Sequence, residues 1–484
     1  MTFPRLGALA LAAAALAGCA DPQGIAPAAH LRDAADLGLT TAAVGESLAP
    51  APDWWTQLGD AQLDRLVAQA LQGNPSLHVA AARVAKAQSA VAVAQAADGP
   101  QVGGAANLNR QRFSSNYIYP PPLGGSVQNL GNLQASGSWE LDFFGRNAGA
   151  LQAALGQARA AQAEADAARV LLAANVVRAY VQWARVHDQR QLAEQALAQR
   201  QQMLALVQER VRAGLDNQLE VRQNETGRAD TRTQIAALEQ QQQAAGHALA
   251  ALLGQPRLPA DARVPTLAQL GRLSVPGQLS ADWLGRRADI AAARWRVQAA
   301  QGEVQAARAQ FYPNINLAGF VGLQSLGFGN LLRGGSLEWG VGPALKLPIF
   351  EGGRLRANLG ARVADVDAAI ESYNATVIDA MREVADQALA IRAVAAQQGE
   401  QAHALSAAEG AWGIARQRYG AGLSPYLNVL VSEGAVLAQR RQAVDLAAQA
   451  VLAQVGLAQA MGGGWQPAPE SHPQASQDRP TAGE

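Results

Sequence analysis

The sequence predicts a mainly α-helical chain with a membrane β-barrel part, built from one unit used twice. Three observations carry that expectation. A duplication runs through most of the chain, four segments alternate strictly at period two, and two proline-free stretches reach 66 and 70 residues.

The duplication organises everything else. A shift of 208 residues places Gly145-Arg146 on Gly353-Arg354, Leu151 on Leu359 and Gly214-Leu215 on Gly422-Leu423. It also carries Leu219 onto Leu427, Val221 onto Val429 and Gly254 onto Gly462. Upstream the shift is 213, matching Leu77 with Ile290, Arg83-Val84 with Arg296-Val297 and Pro100 with Pro313. The five-residue difference falls between Pro100 and Gly145, where an exposed loop can absorb it. Self-similarity over this span makes each half one supersecondary unit. The units are expected at 56–254 and 281–462, joined by a connector at 255–280 that holds Pro256, Pro259, Pro265 and Pro276.

Residues 1–18 read as a secretory signal, with Arg5 as the charged region and Leu6–Ala17 as the apolar run. That run is too short to span a bilayer, which takes ~20 residues. It ends Leu16-Ala17-Gly18-Cys19, which resembles the lipobox of bacterial lipoproteins. The resemblance implies cleavage before Cys19, which then carries acyl chains. Ala20, rather than Asp, in the next position implies delivery to the outer membrane. Residues 19–55 are expected as an extended segment and 463–484 as a disordered tail.

Within each unit the period changes twice. Residues 74–98 are helical in composition and stop before Pro100. Alternation then sets in: Val102, Gly104, Ala106 and Leu108 oppose Asn107 and Asn109. It returns as Leu133, Ala135, Gly137, Trp139, Leu141 and Phe143, after a loop expected at Ser114–Asn129. The second unit repeats it with Ile315, Leu317, Gly319, Val321 and Leu323, then Leu337, Trp339, Val341, Pro343 and Leu345. Hairpins are expected at about 101–144 and 314–350. A soluble hairpin shows the same alternation, but the outer-membrane address favours transmembrane strands.

Two long helical hairpins follow, at 147–253 and 352–461. Their first arms, Asn147–Arg212 and Gly352–Ala421, would be rods of about 100 Å at ~1.5 Å per residue. Large residues recur every seven positions: Val176, Trp183, Leu197, Leu204 and Val211, with Arg190 at the missing step. Val384, Ile391, Leu405, Trp412 and Tyr419 repeat this, with Gln398 at the gap. Such a period implies left-handed supercoiling. The shared polar break fits a register-fixing position, a tunnel-facing one or a tolerated surface slot. Gly214 and Gly422 suit the left-handed residue after a helix. Asp216 and Ser424 are candidate caps of the returning arms, Asp216–Leu253 and Ser424–Met461, with Pro425 in a first-turn position.

The exposed tips are therefore Gly214-Leu215 and Gly422-Leu423, candidate contacts for a partner because a leucine at a tip has no core to join. Beside them stand Arg210, Arg212 and Asp216 in one hairpin and Arg416, Arg418 and Tyr419 in the other. These are candidate gate residues, with Asp216 near Arg418 or Arg212 as the expected tie between hairpins. The bland alternative is a helix cap with solvated arginines.

Four strands per chain cannot close a barrel, and a bilayer tolerates no open sheet edge. Two or three chains would give 8 or 12 strands, and only the larger number leaves a water-filled pore. The geometry points to a conduit.

Several stretches together resemble the outer membrane factors of tripartite efflux pumps, the TolC-like family, in particular its NodT-type lipoprotein branch. They are Trp54-Trp55 with Leu58-Gly59-Asp60, Asn74-Pro75-Ser76-Leu77, Arg286-Arg287-Ala288-Asp289-Ile290, Phe311-Tyr312-Pro313-Asn314-Ile315, Tyr419-Gly420-Ala421-Gly422-Leu423 and Gly462-Gly463-Gly464-Trp465. Ala288 departs from the family's usual proline, a lost helix-start preference. The resemblance spans about 50–466. It implies a homotrimer with a twelve-stranded β-barrel and a twelve-helix periplasmic tunnel. It also implies an RND-type inner-membrane pump and a periplasmic adaptor (membrane fusion protein) that binds the helical tips.

Composition excludes the rivals. The 39 basic residues balance the 39 acidic ones, which removes the footprint of a nucleic-acid binder. The two lysines, Lys86 and Lys346, follow no phosphate-binding loop. The six histidines, at 30, 78, 187, 247, 403 and 472, form no pair at metal-ligand spacing, and no G-x-S-x-G occurs. Gly327-Phe328-Gly329 lacks a helix fingerprint and reads as a loop. No enzyme, metal or cofactor is expected beyond covalent lipid on Cys19. A structural coiled-coil lipoprotein would leave the alternating hairpins unexplained. A type I secretion exit duct shares the fold and differs in cargo. The four methionines form no cluster that would argue for copper or silver.

Overall fold

The computed structural model describes residues 23–32, 50–274 and 281–466. The signal, Cys19 and the tail from 467 lie outside them. The elements run α1 (Ala61–Gly73), α2 (Pro75–Ala96), β1 (Gln101–Arg112), β2 (Val127–Leu141), α3 (Arg146–Arg212) and α4 (Gln218–Leu252). The second half follows with α5 (Ala288–Ala309), β3 (Asn314–Leu326), β4 (Leu337–Lys346), α6 (Arg354–Gly420) and α7 (Tyr426–Ala460). Helices α3 and α6 are both 67 residues long, and α4 and α7 are both 35. Every one of their boundaries obeys the 208-residue shift, and α2 maps onto α5 at 213. Glycines with positive φ recur at the same shift: 77° at Gly145 and 86° at Gly353, 72° at Gly214 and 75° at Gly422.

Several boundaries differ from the sequence expectation. Gly352 and Gly353 both have positive φ, so α6 starts at Arg354 rather than two residues earlier. Strand β2 starts at Val127, because the ladder with β1 continues to the Arg112–Val127 pair and takes three residues from the expected loop. Helix α4 is capped by Asn217 rather than Asp216. The Asn217 side chain accepts from the Leu219 N–H at 2.6 Å, and Glu220 closes a capping box. In the second hairpin Pro425 holds the cap position, and the Ser424 hydroxyl is buried without a partner.

One compact unit comprises residues up to Arg32, Ala81–Gln162 and Ala292–Ala375. It holds the sheet, in the order β1-β2-β3-β4, all antiparallel. Its helical core joins Val297 and Val304 of α5, and Phe311 just beyond its end, to Leu359, Val363 and Ile370 of α6. Helices α3 and α5 approach through small residues. A Cβ on Gly302 would lie 2.6 Å from the Ala153 nitrogen, and one on Gly156 2.8 Å from the Ala299 nitrogen. An alanine-rich composition with few aromatics permits such backbone proximity. Residues 23–32 strap onto α6. The Ala28 and Ala29 N–H groups donate to Asp367 Oδ1 at 2.9 Å, and Asn374 bonds Arg32 N–H and the His30 carbonyl.

The other unit comprises Asp33–Ala80, Ala163–Ala291 and the chain from Thr376. Its core packs Trp54, Leu58 and Leu63 against Val176, Tyr180 and Trp183 of α3, Leu249 of α4 and Val455 of α7. The Leu58-Gly59-Asp60 stretch acquires a physical reason here. Gly59 turns at φ 71°, and Asp60 caps α1 while its other oxygen accepts from the Tyr180 hydroxyl at 2.7 Å. Asn74 is similar: its amide donates to the Leu252 carbonyl and its oxygen accepts from the Ser76 N–H, with Pro75 opening α2. Arg287 ties α5's start to Asp289, Glu383 and the Ala460 carbonyl.

Of the seven-residue stripe, Val176, Trp183, Leu204, Val384 and Tyr419 are buried and the remaining large residues partly so. The polar breaks face the returning arms. Arg190 donates to Gln242 of α4, and Gln398 donates to the Leu446 carbonyl of α7.

Candidate conduit wall and periplasmic tip

The strand register sorts the sheet into two chemically distinct faces. Residues directly opposite in an antiparallel pair share a face. Val102 pairs Gly137, Gly137 pairs Gly319 and Gly319 pairs Val341. The same face therefore carries Ala106, Leu108, Leu133, Trp139, Leu141, Ile315, Leu317, Val321, Leu323, Leu337, Trp339 and Leu345. The opposite face carries Asn107, Asn109, Gln111, Asn132, Gln134, Ser136, Ser138, Asn314, Asn316, Gln324, Glu338 and Lys346. Asn132 and Glu338 bond across this polar face at 3.3 Å. Phe320 and the Leu130–Leu326 pair are its large apolar exceptions; the Phe320 ring lies over Gly340, where a Cβ would meet it at 2.7 Å.

Most of the apolar face is uncovered among the described residues: Trp339 is 71% exposed, Val341 70% and Val102 78%. Strands β1 and β4 each have a free edge. In hydrocarbon every unpaired backbone group costs several kcal/mol, so such a sheet cannot remain open there.

The far ends of the long helices form the second candidate site. Both end in the same doubly bonded turn: Leu215 N–H to the Arg210 carbonyl with Gly214 N–H to Val211, and Leu423 N–H to Arg418 with Gly422 N–H to Tyr419. Leu215 and Leu423 stand 64% and 69% exposed. Behind them a small core of Leu204, Val207, Val221, Tyr419, Tyr426 and Val429 joins the two hairpins.

Asp216 has different partners from those expected. Arg210 Nε donates to it at 2.9 Å, the Tyr419 hydroxyl donates to the same oxygen, and Arg210 lies over the Tyr419 ring at 4.7 Å. Arg212 instead turns back to the Gln208 carbonyl, Arg416 covers the Trp412 ring at 4.9 Å, and Arg418 is exposed. The duplication explains the asymmetry. Arg210 corresponds to Arg418, but Asp216 corresponds to Ser424, so only the first copy supplies a carboxylate. Burial alone would raise the Asp216 carboxyl, but the bonds from Arg210 and Tyr419 outweigh it and hold it below its usual range. Burial and the Asp216 bond together push the Tyr419 hydroxyl up, so it stays protonated and donating.

The sequence did not reveal the cross-hairpin ties above this triad. Asn224 donates to the Tyr426 hydroxyl at 2.7 Å, and both are buried. Arg200 of α3 pairs with Glu433 of α7 at 3.2 Å and also bonds Thr231 and the Gly227 carbonyl. Arg185 and Gln189 share Asp445 at 2.7 Å. A signal for the second tie was present in part. Glu433 falls on Glu225 under the shift, but Arg200 falls on Ala408, so its partner was invisible. Among the described residues no three metal-ligating side chains converge.

The family profile described as "Outer membrane efflux protein" matches residues 66–255 and 279–463, one block per unit. The chain belongs to that family. Resistance proteins of two bacteria match it over 74–87% of its length. The chain is 39% identical over 377 residues to the fusaric acid resistance protein FusA of Burkholderia cepacia, covering 74% of this chain and 70% of the relative. It is 32% identical over 428 residues to the multidrug resistance outer membrane protein MdtP of Escherichia coli, covering 87% and 88%. Its structure is similar to that of VceC, an outer membrane protein of Vibrio cholerae, with a TM-score of 0.80 and 34% identity over 86% of this chain and 100% of that one. As an outer membrane efflux protein the chain is an exit duct of the outer membrane, and not an enzyme.

Proposed function

We propose that three copies of the chain close their sheets edge to edge into a twelve-stranded barrel and continue below it as a helical tunnel. This conduit carries drugs or similar small molecules passively from an RND-type inner-membrane pump and its periplasmic adaptor. The sheet carries the reading: four strands with one predominantly apolar face, one predominantly polar face and two free edges. Closure of β1 on a neighbour's β4 satisfies both edges, turns the apolar face to lipid and leaves the polar face to line water. Two chains would yield a barrel filled by side chains; three leave a pore. The relatives' names, fusaric acid and multidrug resistance, favour small molecules over the protein cargo of a type I secretion duct.

The remaining roles follow from position. Gly214, Leu215, Gly422 and Leu423 serve as adaptor contacts. Arg210, Asp216 and Tyr419 form the latch that keeps the resting mouth shut, with Arg212, Arg416 and Arg418 as the charged rim around it. Cys19 carries the lipid that anchors the mature N-terminus. The strap at 23–32 supports that placement, since Arg356, just inside α6, donates to the Gln23 carbonyl at 3.4 Å.

Topology is tested by maleimide labelling of single cysteines on intact cells. Ser115→Cys and Asn330→Cys, in the two hairpin loops, react, whereas Asp216→Cys does not; external reaction at 216 refutes the orientation. Lipidation is tested by mass spectrometry of the purified protein. The expected species lacks residues 1–18 and carries acyl mass on Cys19, and an unmodified mature N-terminus contradicts it.

A further inference from the structure

One set of charges is absorbed by neither wall nor latch. Arg110 and Arg112 continue the apolar side of β1, pairing Asn129 and Val127 on the face that holds Ala106 and Leu108. The apolar residues Val102–Leu108 span about 20 Å at ~3.4 Å per residue, close to the ~25 Å band expected of a membrane barrel. Arg110 is the next position on that face, at the rim. The same end of the sheet carries both hairpin loops. Residues 113–126 contain no charged side chain, and 327–336 contain one, Arg333. Leu331 of that second loop folds onto the apolar face, against the spot where a Cβ on Gly131 would sit 3.0 Å away. All three arginines are exposed, and none forms an ion pair among the described residues.

The opposite end of the sheet is built differently. There the apolar face ends in Trp139, Leu141 and Leu345, with Phe143 and Phe350 67% and 87% exposed beyond it. Two arginines at that end are paired, Arg146 with Glu140 and Arg354 with Glu351, and Lys346 lies on the polar face. A closing neighbour brings no carboxylate to β1's rim either, since β4 carries only Leu337, Trp339, Val341, Pro343 and Leu345 on that face.

We infer that Arg110, Arg112 and Arg333 form an outward cationic rim that binds the phosphates of a phosphorylated glycolipid in the outer leaflet. An arginine fork matches phosphate oxygens in a bidentate way, and unpaired cations beside an apolar band fit an anionic headgroup whose tails cover that band. Threefold symmetry would set nine arginines around the barrel of a protein that carries no net formal charge. The inference rests on the orientation proposed above.

The test reconstitutes wild type and the triple variant Arg110→Gln/Arg112→Gln/Arg333→Gln in nanodiscs holding bis-phosphorylated lipid A or its dephosphorylated form. Native mass spectrometry reads retained lipid and trimer mass together. Wild type retains phosphorylated lipid at least about tenfold better than the Gln variant, and better than it retains the dephosphorylated lipid. The variant R110K/R112K/R333K, which keeps the charge, retains more than the Gln variant. Equal retention by the Gln variant, equal retention of the dephosphorylated lipid, or full displacement by inorganic pyrophosphate overturns the inference. External labelling of Ser115→Cys on intact cells that express the same proteins separates the two failures. Labelling with unchanged retention removes the lipid site alone, and absent labelling removes the orientation with it.

Discussion

Asp216→Ala raises single-channel conductance in planar bilayers, because it removes the one carboxylate on which Arg210 and Tyr419 converge. The pair is largely shielded, with side-chain exposures of 13% and 10%, so salt screens it less than a surface pair. A hydrogen bond to a charged group is worth about 1.5–3 kcal/mol, and the removal leaves Arg210 without its counter-charge. Three symmetric copies compound the loss in the proposed trimer. Tyr419→Phe keeps the ring against Arg210 and Tyr426 and loses only the hydroxyl, so its effect is smaller. Arg418→Ala leaves conductance unchanged, because Arg418 is exposed at the position where the second copy lacks a carboxylate. The pH dependence has a definite sign. The folded Asp216 carboxyl lies below its unfolded value of 3.8, so the latch is intact above that value and is lost as pH falls through the lower, folded one. Conductance therefore rises on acidification below about pH 4 in wild type and not in Asp216→Ala. A flat response in both, or an unchanged Asp216→Ala conductance, reduces the triad to a structural tie.

The second large effect is on transport itself. Leu215→Asp with Leu423→Asp abolishes efflux while surface level and oligomeric mass persist. Both leucines are more than half exposed at the turns that end α3 and α6, outside the Leu204–Tyr426 core, so their loss removes no packing from the hairpins. Both turns are held by backbone bonds to Arg210 and Arg418, which a side-chain change leaves in place. A charge there opposes burial of an apolar tip against a partner, which costs several kcal/mol per unpaired carboxylate. The readout is drug susceptibility of cells, with purified protein checked for unchanged mass. Retained efflux removes the tips from the adaptor interface.

Much of this architecture was legible in the chain because duplication supplies two readings of each element. The paired glycines 145/353, 214/422 and 254/462 mark turns that require positive φ, so both copies had to keep them. Strict alternation was equally legible, since a one-residue slip would move Trp139, Val321 and Val341 to the polar face. What the sequence hid lies where the copies differ or where partners are distant. The contact to Asp216 comes from Arg210 rather than its counterpart Arg418, and only the Asp216/Ser424 difference distinguishes them. That pairing also explains the misplaced cap: Asp216 is engaged by Arg210, and the next residue, Asn217, takes over α4's N–H groups. The strap at 23–32 was unreadable because its bonds join backbone to Asp367 and Asn374, more than 330 residues away.

Closure of the sheet by neighbouring copies is the central claim, and cross-linking of its two free edges tests it most directly. Ala105→Cys on β1 is combined in turn with Gly340→Cys, Gly342→Cys or Ala344→Cys on β4, all on the polar face. After oxidation in native membranes, at least one combination yields a ladder on denaturing gels that ends at three chains. A ladder ending at two chains, or monomers in every combination, contradicts the account.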